Sequence, residues 1–321
     1  MADSRGRMRS GAPARRRPGR VRIPRGRGGR QDLAAYALLA PSLFGVAVFL
    51  IFPALVVLWL SFQSWDLISP IEPAGLSNYA EVLGDPTFYD SVLVTLFFVV
   101  IVVPVQTVLG LVAASMLTKG LPGSAVLRTI YVLPWVAAPL ALGVVWSWIF
   151  APTDGLLNAL IGHRVEWLTD PAFALPSVAA VVVWSHVGYV TLFFMAGLQG
   201  IPQHLTEAAE LDGAGPVATF WRVKLPLLRP TMFFVLVTSV IAAFQLFDQI
   251  YALTGGGPFD VTDAGTVGRT DVVAMRIYAE AFQTFDIGRA AVMAVVLLVL
   301  LVVITIAQQL YFRRRTTYDL S

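Results

Sequence analysis

Cysteine is absent from the chain, which removes disulfide scaffolds, thiolate metal sites and cysteine nucleophiles and leaves the redox compartment open. Histidine is scarce. His163, His186 and His204 are scattered with no HxxxH or HExxH pairing, so no metal site is expected, and no clustered acid–base set marks a catalytic residue. Lysine occurs twice, as Lys119 in LTKG and Lys224 in RVKL. Neither fits a P-loop, so the chain does not itself bind ATP in that manner. No arginine ladder of the kind a voltage sensor needs is present. Charge is sparse overall: 13% of the 321 residues are charged, against roughly 25% in a soluble domain, while 57% are apolar and the mean hydropathy is +0.72. A soluble chain of this length needs far more polar surface to cover its core. The chain belongs in a membrane.

The charge that is present is unevenly placed. Eleven arginines precede Gln31, in a Gly/Pro/Arg-rich tail without apolar periodicity that is expected to be disordered. No aromatic residue is interleaved and a membrane span follows at once, so the tail reads as a polybasic arm that fixes topology and touches anionic lipid, not as a nucleic-acid binder. A spanning helix needs about 20 mostly apolar residues. Six stretches qualify: Leu33–Phe62, Ser91–Leu117, Thr129–Phe150, Pro176–Leu198, Thr231–Leu253 and Ile287–Phe312. With the amino terminus in the cytoplasm, Lys119, Arg128, Arg222, Lys224, Arg229 and Arg313–Arg315 fall inside with the tail, against Arg164, Arg269, Arg276 and Arg289 outside. The positive-inside rule therefore places both termini in the cytoplasm. Pro41, Pro53, Pro104, Pro134 and Pro139 lie within the spans, so kinks are expected. Three segments follow: a basic tail over 1–31, a six-helix transmembrane region over 32–312 and a short tail over 313–321.

The loop between the fourth and fifth spans, 200–230, is a charged, helix-prone segment flanked by apolar runs. Its core is EAAELDGAG, Glu207 to Gly215. Pro202 can open a helix, because its missing N–H is an orphan at that position. Glu207, Ala208, Ala209, Glu210 and Leu211 extend it, and Asp212-Gly213 stops it, because glycine takes a left-handed cap without steric cost. Pro216 can begin a second helix, VATFWRVKL, that ends before Pro226. A helix–turn–helix on the membrane face results, with Ala208, Ala209, Leu211 and Phe220 free to pack. An amphipathic loop resting on lipid is the plainer alternative.

The string EAAELDGAG, followed by Phe220, Val223, Leu225-Pro226 and Pro230, resembles the EAA loop of ABC importer permeases, with Val223 where isoleucine is usual. The stretch Gly75 to Val99 is similar to the lead into the second span of sugar-importer permeases. FDQIYALTGGGP (Phe247 to Pro258) and IYAEAF (Ile277 to Phe282) look like the fifth-span exit and following loop of the same group. The resemblance covers about Asp32 to Phe312 and points to the maltose and glycerol-phosphate permease branch of carbohydrate importers. WDLISP, YVLPWVAAPLA, VEWLTDP and YFRRR are similar to the first permease of mycobacterial amino-sugar importers. One departure is DVTDAGTVGRTD (260–271), longer and more acidic than the group carries there. It reads either as an altered contact with the binding protein or as a tolerated surface insertion.

This resemblance implies an all-α membrane protein with six transmembrane helices and a cytoplasmic coupling helix, the type I ABC importer permease fold. It implies a bacterial inner-membrane heterodimer with a second permease subunit. Two ATPase subunits, which use ATP and magnesium, would sit at the EAA loop, and an extracytoplasmic sugar-binding lipoprotein would deliver the cargo. This chain itself would bind no cofactor. Glu207, Ala208, Ala209, Asp212 and Gly213 would form the ATPase-coupling site, Glu207 making the polar contact and Gly213 the turn. The sugar path would use Trp184 and Tyr189 in the fourth span and Gln245 and Asp248 in the fifth, since a sugar offers hydroxyls and a stacking face. Tyr189 and Gln245 match positions that contact sugar in the maltose branch, whereas Trp184 rests on stacking chemistry and its nearness to Tyr189. Each has a plainer role: core packing for Trp184, an interhelical hydrogen bond for Gln245, pairing with the other permease for Asp248. His186 reads as a satisfied bundle histidine and Gln106 as a weaker candidate. An ion-coupled secondary carrier accounts for the spans and Asp248 but leaves EAAELDGAG without a role. A glycerol-phosphate importer or a non-transport scaffold are further alternatives.

Overall fold

The computed structural model describes residues 28–118, 123–262 and 265–313, so nearly all of the basic tail and of the carboxyl-terminal tail lies outside the described residues. Two compact units emerge, Met1–Ala54 and Leu55–Ser321, and the 32–312 segment read as one region spans both. The chain opens with α1 (Gly28–Val46), a π-helical turn (Ala47–Ile51) and α2 (Phe52–Leu60). The wide turn stands directly before Pro53. A proline has no N–H and its ring crowds the carbonyl four residues back, and an i→i+5 turn, here Phe52 N–H to Ala47 O, relieves that crowding.

A two-stranded ribbon, β1 (Gln63–Ser64) with β2 (Glu72–Pro73), leads into α3 (Ser77–Gly84) and the 32-residue α4 (Pro86–Leu117). The start of α4 is specified locally: the Asp85 carboxylate accepts the Thr87 backbone N–H at 2.9 Å, and Pro86 occupies the first helical position. The remaining elements are α5 (Ser124–Val136), α6 (Pro139–Ile149), α7 (Leu156–Ile161), α8 (Ala174–Gln199), α9 (Gln203–Leu211), α10 (Pro216–Thr219), a second π turn (Phe220–Lys224), α11 (Leu225–Leu227), α12 (Arg229–Phe244), α13 (Asp248–Leu253), the hairpin β3 (Phe259–Thr262)–β4 (Gly265–Gly268), α14 (Val273–Phe282) and α15 (Ile287–Arg313).

Among the described residues, four helices are long and apolar enough to cross a bilayer singly: Leu38–Leu60, Pro86–Leu117, Ala174–Gln199 and Ile287–Arg313. Six crossings result if two bent pairs each count once. These pairs correct two sequence expectations. The third span is not one kinked helix: Ala125–Val136 and Pro139–Ile149 meet at 98°. Ala138 precedes Pro139, whose ring disfavours the helical conformation there, and Ala137 and Ala138 are both extended. The expected fifth span, Thr231–Leu253, is interrupted between Phe244 and Asp248 with no proline to announce it, and α12 is instead bent by 67° against Pro216–Leu227. The helix expected to end before Pro226 also runs on to Leu227. Leu225 N–H bonds Phe220 O across the π turn, again just ahead of a proline.

Within Leu55–Ser321, α4 is the hub. Phe98 and Val102 pack with Val178, Val182 and Ile250; Val99 and Val103 pack with Val240, Phe244 and Met293; Ala114 and Leu117 pack with Val190, Phe194 and Val235. A helix apolar on every side can serve three neighbours in this way. Close approach matters most at Gly188, where a Cβ would collide with the Tyr131 carbonyl of α5.

The first turns of α14 and α15 are fastened to the start of α4 by polar contacts. Arg289 pairs with Asp85 at 2.8 Å, Arg276 donates to Thr87 Oγ1 at 2.6 Å, and Val273 N–H donates to Thr95 Oγ1 at 2.9 Å. Asp271 lies 3.5 Å from Arg276 and accepts from Ser91 at 3.3 Å, yet burial outweighs the Arg276 charge and raises its carboxyl to about 6. The folded chain therefore holds a proton that the unfolded chain releases near 3.8. Between those values the native state binds more protons, so stability falls as pH rises through the window and levels off above it. Thermal unfolding of the detergent-solubilised chain should show this slope, with a range of roughly 3 kcal/mol at most. Asp271→Asn should flatten it, and an unchanged slope in that variant would assign it to another group. The acidic 260–271 stretch is largely this hairpin and turn, closed by an Arg269–Asp260 ion pair at 2.6 Å. Among the described residues, the two ribbons are small exceptions to an otherwise helical fold.

Candidate functional site

The EAAELDGAG segment forms a capped helix with no buried residue. Pro202 sits one position earlier than expected, as an extended cap (ψ 129°), and α9 begins at Gln203. Gln203 Nε2 donates to Glu207 Oε1 at 2.8 Å, the i,i+4 spacing that aligns side chains on one face. At the other end Gly213 has φ +82°, its N–H bonds Glu210 O at 3.0 Å, and Ala214 N–H bonds Ala209 O at 2.9 Å. That pair of bonds is a Schellman cap, which needs a left-handed residue where glycine stands. The cap returns the chain into α10, and Thr219, buried, donates to Gly215 O at 3.1 Å to fix the return. Glu207, Ala208, Asp212 and Gly213 are exposed and Ala209 is half-buried. Beside them Leu211 is 90% exposed, Val217 72% and Trp221 62%. A rigid, capped hairpin carrying a carboxylate beside bare apolar side chains is suited to docking.

A second site arises where the two broken spans meet. Residues of the Val136–Pro139 break, the Phe244–Asp248 break and α8 together line one polar cavity of about 200 Å³, among them Trp135, Ser185, His186, Gln245, Asp248 and Gln249. Gln245 and Asp248 are thus brought together. Gln245 stands on the break itself and Asp248 in the first turn of α13, where the positive end of the helix favours a carboxylate. His186 Nδ1 lies 3.0 Å from the Val182 carbonyl. A carbonyl only accepts, so in this bond Nδ1 is the donor. Tyr189, one turn along α8 from Ser185, is not in the lining but stacks on Trp135 with ring centroids 5.0 Å apart.

Trp184 does not join this group. It lines a separate apolar cleft of about 790 Å³ between α4, α5 and α8, and its ring meets Trp146 edge-on. Gln106 is buried in α4 and lines neither cavity. Trp135 was not among the residues expected to line a sugar path, and His186 was expected to be a satisfied bundle histidine. The signal available for Trp135 was its place in PWVAAP, between the two prolines that break the span.

Residues 106–317 match the family described as binding-protein-dependent transport system inner membrane component. The chain is 35% identical over 288 residues to the sn-glycerol-3-phosphate transport system permease protein UgpA of Yersinia pestis bv. Antiqua (strain Antiqua), an alignment that covers 88% of this chain and 95% of that one. It is 34% identical over 274 residues to the probable ABC transporter permease protein YesP of Bacillus subtilis (strain 168), covering 83% and 86%. Its fold is similar to a chain of a bacterial ABC transporter involved in the import of the acidic polysaccharide alginate, with a TM-score of 0.76, 21% identity, and coverage of 90% of this chain and 98% of that one. The helix order, the capped hairpin and these matches agree: this chain has the type I ABC importer permease fold and belongs to the family of binding-protein-dependent transport system inner membrane components.

Proposed function

We propose that this chain is one of two permease subunits of an ATP-driven importer for a carbohydrate, an amino sugar or a small oligosaccharide. Family membership makes it a transport subunit that works with a substrate-binding protein and a separate ATPase. In this reading the partner ATPases, which alone use ATP and magnesium, dock on the exposed face of α9, and Glu207 makes the polar contact. Both termini lie in the cytoplasm, where the basic tail meets lipid. ATPase closure then pushes the hairpin, and the 67° joint at Leu228 passes the displacement into α12 and the broken fifth span.

The cavity at the two breaks supports the choice of cargo. Its lining offers a carboxylate, amides, a hydroxyl, an imidazole and a tryptophan, and among its lining residues there is no lysine or arginine. Hydroxyl-rich rings are held by such polar groups and an aromatic face. A phosphate is recognised by arginine forks, lysines and helix N-termini, and a carboxylate repels it. The relatives favour a second cargo, since UgpA is described as a glycerol-3-phosphate permease.

Uptake decides between the two. Cells lacking the chain and cells with it restored should be given labelled N-acetylglucosamine, its dimer, a maltodextrin and glycerol 3-phosphate. In parallel, the tagged chain should be isolated with its partners and these identified by mass. Restored saccharide uptake and recovery of a second permease with a P-loop ATPase are the expected results. Restoration of glycerol 3-phosphate uptake alone would overturn the carbohydrate reading. Recovery of the chain by itself, with uptake abolished by an ionophore at constant ATP, would replace it by an ion-driven carrier.

A further inference from the structure

The apolar cleft that holds Trp184 is a long slot. Ile101, Leu109 and Met116 line it from α4, Tyr131 and Pro134 from α5, and Ala180 with Trp184 from α8. Leu109, Met116, Tyr131 and Trp184 are all exposed. Ile101 to Met116 is about 22 Å of helix, more than half of the ~30 Å hydrocarbon thickness. Over that length its volume of about 790 Å³ gives a mean cross-section of about 35 Å², less than half that of a helix about 10 Å across. The slot is too narrow to take in a helix. It does admit methylene chains, whose carbons pack about 4 Å from their neighbours.

One end of the slot carries a cation. Arg128 stands two residues before Ile130, which lines the slot, and its Nη2 reaches the Leu117 carbonyl, next to Met116, at 3.5 Å. Arg128 is half-buried, its Nε is enclosed without a hydrogen-bond partner, and among the described residues no carboxylate pairs with it. An arginine that served only to anchor this end at the membrane surface would turn its head to water. Tyr131, three residues on and on the same helix face, brings a phenolic hydroxyl that an ester oxygen can accept. Thr118 shares a cavity wall with Glu210 of α9, so this end lies on the side of the docking hairpin.

We propose that the slot is a site for one anionic phospholipid, with acyl chains between α4, α5 and α8 and the phosphate on Arg128. Hydrocarbon of any lipid fills an apolar slot in a bilayer, because an empty one forfeits its dispersion contacts. Selection comes from the head. A guanidinium forks onto phosphate oxygens, and a zwitterionic headgroup brings its own ammonium to the same place, whereas an anionic one leaves the phosphate charge to Arg128. The site goes beyond the importer reading and is independent of the cargo.

The test uses the assembled complex, reconstituted in phosphatidylcholine vesicles that contain a small fraction of a phospholipid with a photoreactive acyl chain. The probe is either phosphatidylglycerol or phosphatidylcholine, and labelled peptides are mapped by mass after illumination. On the unaltered chain the phosphatidylglycerol probe should label residues 101–116 and 179–187 several-fold more than the phosphatidylcholine probe. Unlabelled phosphatidylglycerol should displace it and inorganic phosphate should not. Arg128→Gln should lower that labelling about tenfold, the loss of a hydrogen bond to a charged group, while Arg128→Lys keeps a good part of it. Ala180→Phe, which fills the slot from an exposed position, should abolish labelling by both probes. Equal labelling by the two probes, or labelling indifferent to Arg128→Gln, would reduce the slot to a bed for bulk lipid and overturn the proposal. Displacement by inorganic phosphate would overturn it in favour of a phosphate site. Cross-linking of a benzophenone side chain at position 180 to a helix of another subunit, with no lipid labelled, would give the slot to protein instead.

Discussion

Replacing Gly213 with valine leaves the chain in the membrane and lowers transport by about tenfold or more, while ATP hydrolysis in the assembled complex ceases to accelerate with loaded binding protein. The argument begins at one dihedral angle. Gly213 has φ +82°, and its N–H and that of Ala214 close the Schellman cap onto Glu210 and Ala209. A β-branched residue held in the left-handed region costs about 1–3 kcal/mol, and about 1.4 kcal/mol is a factor of ten in an equilibrium. A Cβ at Gly213 meets nothing within 4 Å, so the penalty is conformational and there is no clash to repair elsewhere. The chain's other choice is to give up the cap, and then α9 frays at the end that carries Leu211. Either way the docking face loses its rigidity, and a rigid element is what transmits a push. Gly213→Asn is the informative companion, because asparagine tolerates the left-handed region and should retain most of the transport. Uptake and substrate-stimulated ATP hydrolysis, measured in proteoliposomes, are the readouts. Normal coupling in the valine variant would show that the hairpin is not the coupling element.

The second large effect is expected at Asp248. Asp248→Ala should reduce saccharide uptake about 10- to 100-fold, because a hydrogen bond to a charged group contributes about 1.5–3 kcal/mol. The companion variant is Asp248→Asn, which keeps the shape and one acceptor and removes the charge. A cationic amino sugar senses the charge, so Asn should then be as damaging as Ala. A neutral sugar senses the acceptor, so Asn should recover much of the loss. Concentration series on both variants separate a raised KM, the mark of a cavity contact, from a lowered maximal rate. Little change in either parameter for both variants would remove Asp248 from the path and leave it a structural partner of the second permease.

Much of this protein was legible in its residue order, for reasons that are local. Spans show themselves because hydrocarbon tolerates only apolar side chains over a fixed thickness, and α4, α8 and α15 lie close to the expected stretches. The α9 hairpin was readable because its determinants are neighbours in sequence: alanines and glutamates that favour helix, then Asp212-Gly213 that ends it. Even its details were off only by one residue at Pro202 and by the π turn that carries the helix past Pro226. That turn is a compromise between a proline and a helix held on both sides by packing, which no local propensity announces.

The broken spans divide the same way. Pro134 and Pro139 advertised a disturbance in the third span, but its size, 98°, was set by what α6 packs against, including the contact of Gly143 with Ala252 of α13. The break in the expected fifth span had no proline to mark it. It depends on Leu246, which is buried, and on the neighbours that Ile250 and Leu253 meet in α4 and α8.

The sequence by itself determined the membrane setting, the stretches apolar enough to cross, the capped α9 hairpin and which polar and aromatic side chains the spans carry, because each is written in composition or within a few residues. Only the tertiary structure decided which of those side chains meet. It joined Gln245 and Asp248 to Trp135 and His186, set Tyr189 against Trp135, and left Trp184 in an apolar cleft on another face of the same helix. The physical reason is that a helix in an apolar setting has no polar face to orient it by pattern, so its rotation is fixed by close packing, as where Gly188 admits the Tyr131 carbonyl.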